Sequence, residues 1–187
     1  MKSNDNPPGY DPKKDSVVLT PYNPAWPEKA ESEILTLKQM LPSALITDIQ
    51  HVGSTAIPGM LAKPIIDIQI AVNSLDQAKE KFVPIIESLG YQYWDGNPNP
   101  ERMFFVKGMP PFGEGRTHHI HIFQKDSNLW RDKIIFRDYL KSHPEAAKEY
   151  TDLKSQLSEQ HALDREEYTD AKKAFVDHII AKALGVL

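Results

Sequence analysis

Apolar positions in this chain follow the two periods that separate strands from helices, and the order in which those periods appear predicts an architecture. The strictest alternation is in "PIIDIQIAV". Ile66, Ile68, Ile70 and Val72 fall on one face of a strand, and Ile65, Asp67, Gln69 and Ala71 on the other. "LITDIQHV", "YQYW" (91–94) and "RMFFVK" (102–107) predict further strands, and "VVLT" (17–20) a short one. In "THHIHIFQ" the alternation puts Ile120 and Ile122 on one face and His119, His121 and Phe123 on the other. Helical spacing takes over in "NPAWPEKAESEILTLKQML", where Ala30, Ile34, Leu37 and Leu41 recur between a start at Asn23–Pro24 and a stop at Pro42. "SLDQAKEKFVPIIESLG" predicts a second helix with a Ser74/Gln77 capping box, Gly90 beyond its end and a kink at Pro84.

After residue 125 the strand period disappears. "SNLWRDKIIFRDYLKSH", "PEAAKEYTDLKSQLSEQHA" and "DREEYTDAKKAFVDHIIAKAL" each predict a helix, with a Ser142/Glu145 capping box around Pro144. Strands first and helices last is an α+β layout with a helical C-terminal section. Residues 1–16, rich in Pro, Asn, Asp and Lys, predict a flexible arm. The remainder, 17–187, is expected to form one domain, with a core over 17–125 and the helical section over 126–187.

Composition narrows the chemistry. There is no cysteine, so no disulfide, thiolate ligand or thiol nucleophile is available. The formal charge of −4 does not support broad nucleic-acid binding, although two or three local cations suffice for a small phosphorylated ligand. No apolar run approaches the length of a membrane span and the opening residues lack a secretory apolar stretch, which sets the expectation of a cytoplasmic protein.

The densest stretch is "HVGSTAIPGMLAKPIIDIQI", residues 51–70. An apolar-Gly-Ser turn, Val52-Gly53-Ser54, is followed after twelve residues by Asp67-Ile68-Gln69-Ile70. This pattern resembles the signature of the DNA polymerase β-like nucleotidyltransferase superfamily. Within it, "PYNPAWP", "HVGSTAIPGMLAKPIIDI", "HHIHIF", "FRDYLKSHP" and the Tyr–Lys helices are similar to the GrpB family, from Val17 onward.

The resemblance implies a nucleotidyltransferase-like mixed sheet flanked by helices. It also implies that the Gly-Ser turn opens a helix whose free N–H groups, with the Ser54 hydroxyl, hold triphosphate oxygens. Gly53 would allow close approach and Asp67 would take a divalent metal (Mg, Mn or Zn) that activates the acceptor oxygen and stabilises the leaving group. Gln69 stands on the same strand face and brings no negative charge, so one metal is expected rather than two. The third ligand comes from "HHIHIF". Imidazole favours zinc, manganese or nickel over magnesium, so Asp67 and His121, assisted by His119, His51 or Gln69, form one candidate metal set. The other reading of these histidines is a hydrogen-bonded polar groove.

Lys63 and Arg102 are candidate phosphate contacts by their place near the motif, whereas Lys107 and Arg116 read as surface charge. Tyr150/Lys154 and Tyr168/Lys172 repeat one four-residue spacing that puts each pair on a common helix face. The resemblance implies that such tyrosines stack on a base and such lysines contact phosphates; equally, the tyrosines can edge the core beside Leu153, Leu157, Phe175 and Ile179. Arg137–Asp138 reads as an ion pair orienting its helix.

The expected function is transfer of a nucleoside monophosphate from an NTP to an acceptor, with Asp67 and His121 as the catalytic pair. Two alternatives stand beside it. One is a nucleotide- or phosphometabolite-binding module without transfer; the other is a folding or interaction domain with a protein partner, like the related domains fused to dephospho-CoA kinase.

Overall fold

A computed structural model describes residues 15–97 and 99–186. Most of the expected arm, residues 1–14, lies outside the described residues. Asp15 closes that segment as a buried residue whose carboxylate pairs with Arg116 and Arg165.

Five strands form one mixed sheet: β1 (Ile46–Val52), β2 (Ile66–Val72), β3 (Tyr91–Tyr93), β4 (Arg102–Lys107) and β5 (His118–Gln124). Their spatial order is β1-β2-β5-β4-β3. β2 and β5 run parallel at the centre, and every other neighbouring pair is antiparallel. The alternation read from the sequence is obeyed. Ile66, Ile68, Ile70, Val72, Ile120 and Ile122 all face one core, shared with α1 (Trp26–Met40) and α2 (Leu75–Ser88). Burying these side chains contributes on the order of 1.5–3 kcal/mol each, which fixes the register, because a one-residue slip would turn the apolar row to the opposite face.

α1 begins at Trp26 with Pro27 in its first turn; Asn23 sits just ahead, its side chain accepting from the Ala25 N–H at 2.9 Å. Ser74 caps α2 by accepting from the Gln77 N–H, and the helix continues through Pro84.

The second face of the sheet is covered by α3 (Asn128–Ser142) and the section behind it, α4 (Pro144–Gln160), α5 (Arg165–Asp170) and α6 (Lys173–Ala183). Three expectations are corrected here. "VVLT" is no strand: Thr20 makes a single bridge to Ala62, while Val17 bonds Ala162 and packs on Leu157 and Tyr168. Asp15, held by its two arginines, draws this segment onto the helical section and away from a sheet edge. The final helix is two, interrupted at Ala171–Lys172. The Ser142/Glu145 capping box does not form, because Ser142 still belongs to the last turn of α3; its hydroxyl bonds back to the Asp138 and Tyr139 carbonyls, and His143 takes the cap position of α4.

Candidate functional site

Parallel pairing of β2 with β5 sets Asp67 opposite His119 and Gln69 opposite His121. All four project from the face under α3. His119 Nδ1–H donates to Asp67 Oδ1 at 3.0 Å, and His121 Nε2 lies 3.7 Å from the same oxygen. Burial alone would raise the Asp67 pKa, but the two imidazole contacts hold it well below the usual carboxylate range. Burial lowers His119 to about 4 and His121 to about 3, so both rings are neutral at pH 7, the form that can ligate a cation. His121 is further fixed between Phe104, stacked at 4.9 Å, and Phe123 at 6.2 Å. The Asp67 side chain keeps 28% exposure against 11% and 8% for the histidines, so a ligand reaches the carboxylate first.

This donor set fits one divalent cation. One ligand atom from each of Asp67, His119 and His121 lies within 4.8 Å of the others, and no other such triad of His, Cys, Asp or Glu occurs among the described residues. His119 Nε2 and His121 Nδ1 are buried with no protein partner. A carboxylate with two neutral imidazoles suits zinc or manganese better than magnesium.

Gln69 pairs with His121 across the sheet, and the Asp67 charge acts on His51. Gln69 is fully buried; its Nε2 donates to the Trp130 carbonyl of α3 at 3.2 Å, and its Oε1 is buried with no protein partner. A carboxylate at 69 would face that carbonyl oxygen, so a neutral amide suits the position. His51 is paired with Ile68, on the far side of the sheet from Asp67, and its Nε2 contacts Thr55 Oγ1 at 2.9 Å.

The Gly-Ser corner meets the aspartate directly. Gly53 has φ +72°, and a Cβ there would lie 2.5 Å from Asp67 Oδ2, so both backbone conformation and space demand glycine. Ser54 opens a three-residue 3₁₀ turn, Ser54–Ala56, in place of the α-helix that the resemblance implied. The turn's own bonds use the N–H groups of Ala56 and Ile57, leaving those of Ser54 and Thr55 outside them.

Cations surround the corner. Lys154 is 2% exposed; its ammonium donates to Ser54 Oγ at 3.2 Å and to the Leu61 carbonyl, and lies 4.8 Å over the Tyr150 ring. Lys63 and Lys172 both lie over the Tyr168 ring, at 5.2 and 4.0 Å. Burial, reinforced by repulsion from Lys172, lowers Lys63 and Lys154 to about 7; burial lowers Lys172 to about 8. An anion bound beside them would raise all three and hold them charged.

The tyrosines do different work from the base stacking implied by the resemblance. Tyr168 is 1% exposed, and Tyr150 is enclosed by Phe136, Phe175 and Lys154. Their faces hold lysines and core, which leaves none open to a base. Arg102 sits on β4 over the Phe104 ring at 4.9 Å, with one guanidinium nitrogen on Asn97. Arg116 is pinned by Asp15, and Lys107 pairs with Glu33. Arg137 pairs with Asp138 and also donates to Gln50 and the His51 carbonyl, anchoring α3 to β1.

Sequence reasoning missed Lys133. It lies on the inner stripe of α3, three residues after Trp130 and four before Arg137, both of which touch the sheet. A charge interrupting an inward stripe was the available signal.

The chain is thus an α+β protein whose mixed sheet carries an Asp–His–His group that could hold one metal ion, beside a glycine-serine corner ringed by lysines. The family model described as GrpB protein matches residues 16–182, and the chain belongs to the GrpB family. It is similar to a UPF0157 protein of Pseudomonas aeruginosa, 42% identical over 98% of this chain and 76% of that one. The crystal structure of the conserved protein GrpB from Enterococcus faecalis superposes with a TM-score of 0.79 at 35% identity, covering 90% of this chain and 98% of that one. A dephospho-CoA kinase of Mycolicibacterium paratuberculosis is 28% identical over 84% of this chain and 43% of its own length.

Proposed function

We propose that this chain binds a nucleoside triphosphate with one divalent cation and transfers its nucleotidyl group to an acceptor. The observation that carries the reading is the packing of Gly53 against Asp67, which brings a glycine-serine corner, a carboxylate and the Lys63, Lys154 and Lys172 ammonium groups to one place. The lysines supply charge-assisted donors to the phosphate chain, and the Ser54 hydroxyl, already accepting from Lys154, is free to donate. Asp67, His119 and His121 would hold the cation, which stabilises charge on the phosphoryl oxygens. In the transfer an acceptor oxygen bonds the α-phosphorus, the bond to the β-phosphate oxygen breaks, and pyrophosphate leaves. Where Asp67 and His119 hold the cation without His121, its neutral imidazole takes the acceptor proton; where His121 is itself a ligand its lone pair is engaged, and the proton passes to solvent.

A second reading, binding without transfer, is favoured by one residue: Gln69 brings an uncharged amide, its Nε2 bonded to α3, so the site offers a single carboxylate for metal. Likeness to part of a dephospho-CoA kinase supports a third role, as an interaction domain with a protein partner, by analogy alone.

A thermal-shift screen of the four NTPs with manganese, zinc or magnesium tests binding. Ligand at about 100 times its dissociation constant stabilises by roughly 2.7 kcal/mol. Pyrophosphate release then separates transfer from binding. Asp67→Asn should keep the fold and lose metal-supported nucleotide binding; an unchanged variant refutes the assignment.

A further inference from the structure

The charges around the site fall into two sets along β5. Lys63 and Arg116 act on His119, whereas Lys133 and Arg102 act on His121. The second set is the less satisfied. Lys133 has no hydrogen-bond or ion-pair partner among the described residues, and the carboxylate that acts on it is Asp67. Arg102 spends one nitrogen on Asn97 and leaves Nε buried without a partner. The two also repel each other, which lowers Lys133 further after burial. Trp130 ties α3 to Gln69 and Arg137 ties it to β1; Lys133 lies between these two anchors along the helix that covers the face carrying Gln69, His121 and Phe104. Arg102 rises from β4 two residues along from Phe104, on the same face.

We propose that Lys133 and Arg102 form a second anion subsite at the His121 end, which receives a phosphate or carboxylate group of the acceptor molecule. That the ligand is an acceptor rests on the nucleotidyl-transfer reading; the subsite itself rests on two cations with unsatisfied donors, one on β4 and one on the helix above it, at the face that carries His121. A guanidinium can bind such a group with two parallel bonds, and the ammonium completes the charge. The acceptor is then a small anionic molecule whose attacking oxygen lies near His121.

Titration calorimetry on the full chain tests this, with inorganic phosphate and, in a parallel arm, acetate. Each is titrated into free protein and into protein saturated with manganese and an α,β-methylene NTP, which cannot transfer. Wild type should bind one of the two anions while loaded. Lys133→Met and Arg102→Gln should each weaken that binding about tenfold, the value of one charge-assisted bond, and Lys133→Met should change analogue affinity less than about threefold. Lys172→Met should do the reverse. Phosphate alone binding identifies a phosphorylated acceptor, and acetate alone a carboxylate one. The subsite is refuted if neither anion binds loaded protein, or if Lys133→Met weakens the analogue as much as Lys172→Met does. Should the analogue bind no form, the nucleotide reading fails by itself, and loss of anion binding to free protein in Lys133→Met still decides the subsite.

Discussion

Replacing Lys154 with methionine removes a buried ammonium while keeping an unbranched chain of similar length. Lys154 has a pKa of about 7 in the fold, lowered by burial and by Lys172, against an ordinary 10.5. That difference corresponds to about 5 kcal/mol of instability when the group is charged in both states. Against it stand the hydrogen bonds to Ser54 Oγ and the Leu61 carbonyl, together worth about 2 kcal/mol. The sign follows from proton counting. Below pH 7 the lysine is charged folded and unfolded, and the penalty is whole. Between pH 7 and 10.5 the unfolded chain keeps a proton on Lys154 that the native state has released, so wild-type stability rises with pH; the methionine variant lacks this contribution and keeps those of Lys63 and Lys172. The variant should therefore be more stable by about 3 kcal/mol at pH 6 and less stable by about 2 kcal/mol at pH 10.5, with the curves crossing near pH 9, all order-of-magnitude figures. Urea unfolding of both proteins across this range measures the difference directly. The same variant should lose triphosphate affinity, a site retained against stability. A difference independent of pH, or a variant less stable at pH 6, would refute the view that a charged lysine is buried here for a ligand.

Gly53→Ala should destabilise by at least about 1–3 kcal/mol and displace Asp67, since the new Cβ meets its Oδ2; circular dichroism melts and metal titration would show both effects, and a stable, metal-binding variant would contradict the packing. Gln69→Glu should not create a second metal site. With a carboxylate set against the Trp130 carbonyl it should cost about 1–3 kcal/mol at pH 8, read by urea unfolding, and a gain in metal stoichiometry would overturn this. His51, lowered to about 4 by burial, is neutral in the fold while the unfolded chain protonates near its ordinary 6.5. Stability should accordingly fall as pH drops from 6.5 toward 4, and His51→Gln should reduce the slope of that limb, to which His119 and His121 also contribute, in a metal-free acid titration; an unchanged slope would count against it.

The sheet was legible because its side-chain period is strict: Asp67, Gln69, His119 and His121 were assigned to the right faces, and β2 with β5 brings those faces together. Tyr150, Lys154, Tyr168 and Lys172 were legible as pairs but not in their roles. A tyrosine at four-residue spacing from a lysine looks the same whether its ring meets a ligand or a lysine; only the fold shows that Lys63 and Lys172 both lie over the Tyr168 ring. Long-range ion pairs were out of reach for a similar reason. Arg116 read as surface charge because its partner, Asp15, is far away in sequence, inside a segment that composition marks as flexible. Lys133 was hidden by the ordinary assumption that a helical lysine faces water. The turn after Gly53 read as a helix start because one motif can open either a helix or a single 3₁₀ turn.

Manganese titration of the full chain, followed by electron paramagnetic resonance with a saturating α,β-methylene NTP, tests the central claim most directly. One manganese ion should bind per chain, with bound-ion broadening that depends on the analogue and vanishes in Asp67→Asn. Two ions per chain, no ion, or an Asp67→Asn protein that binds like wild type would contradict it.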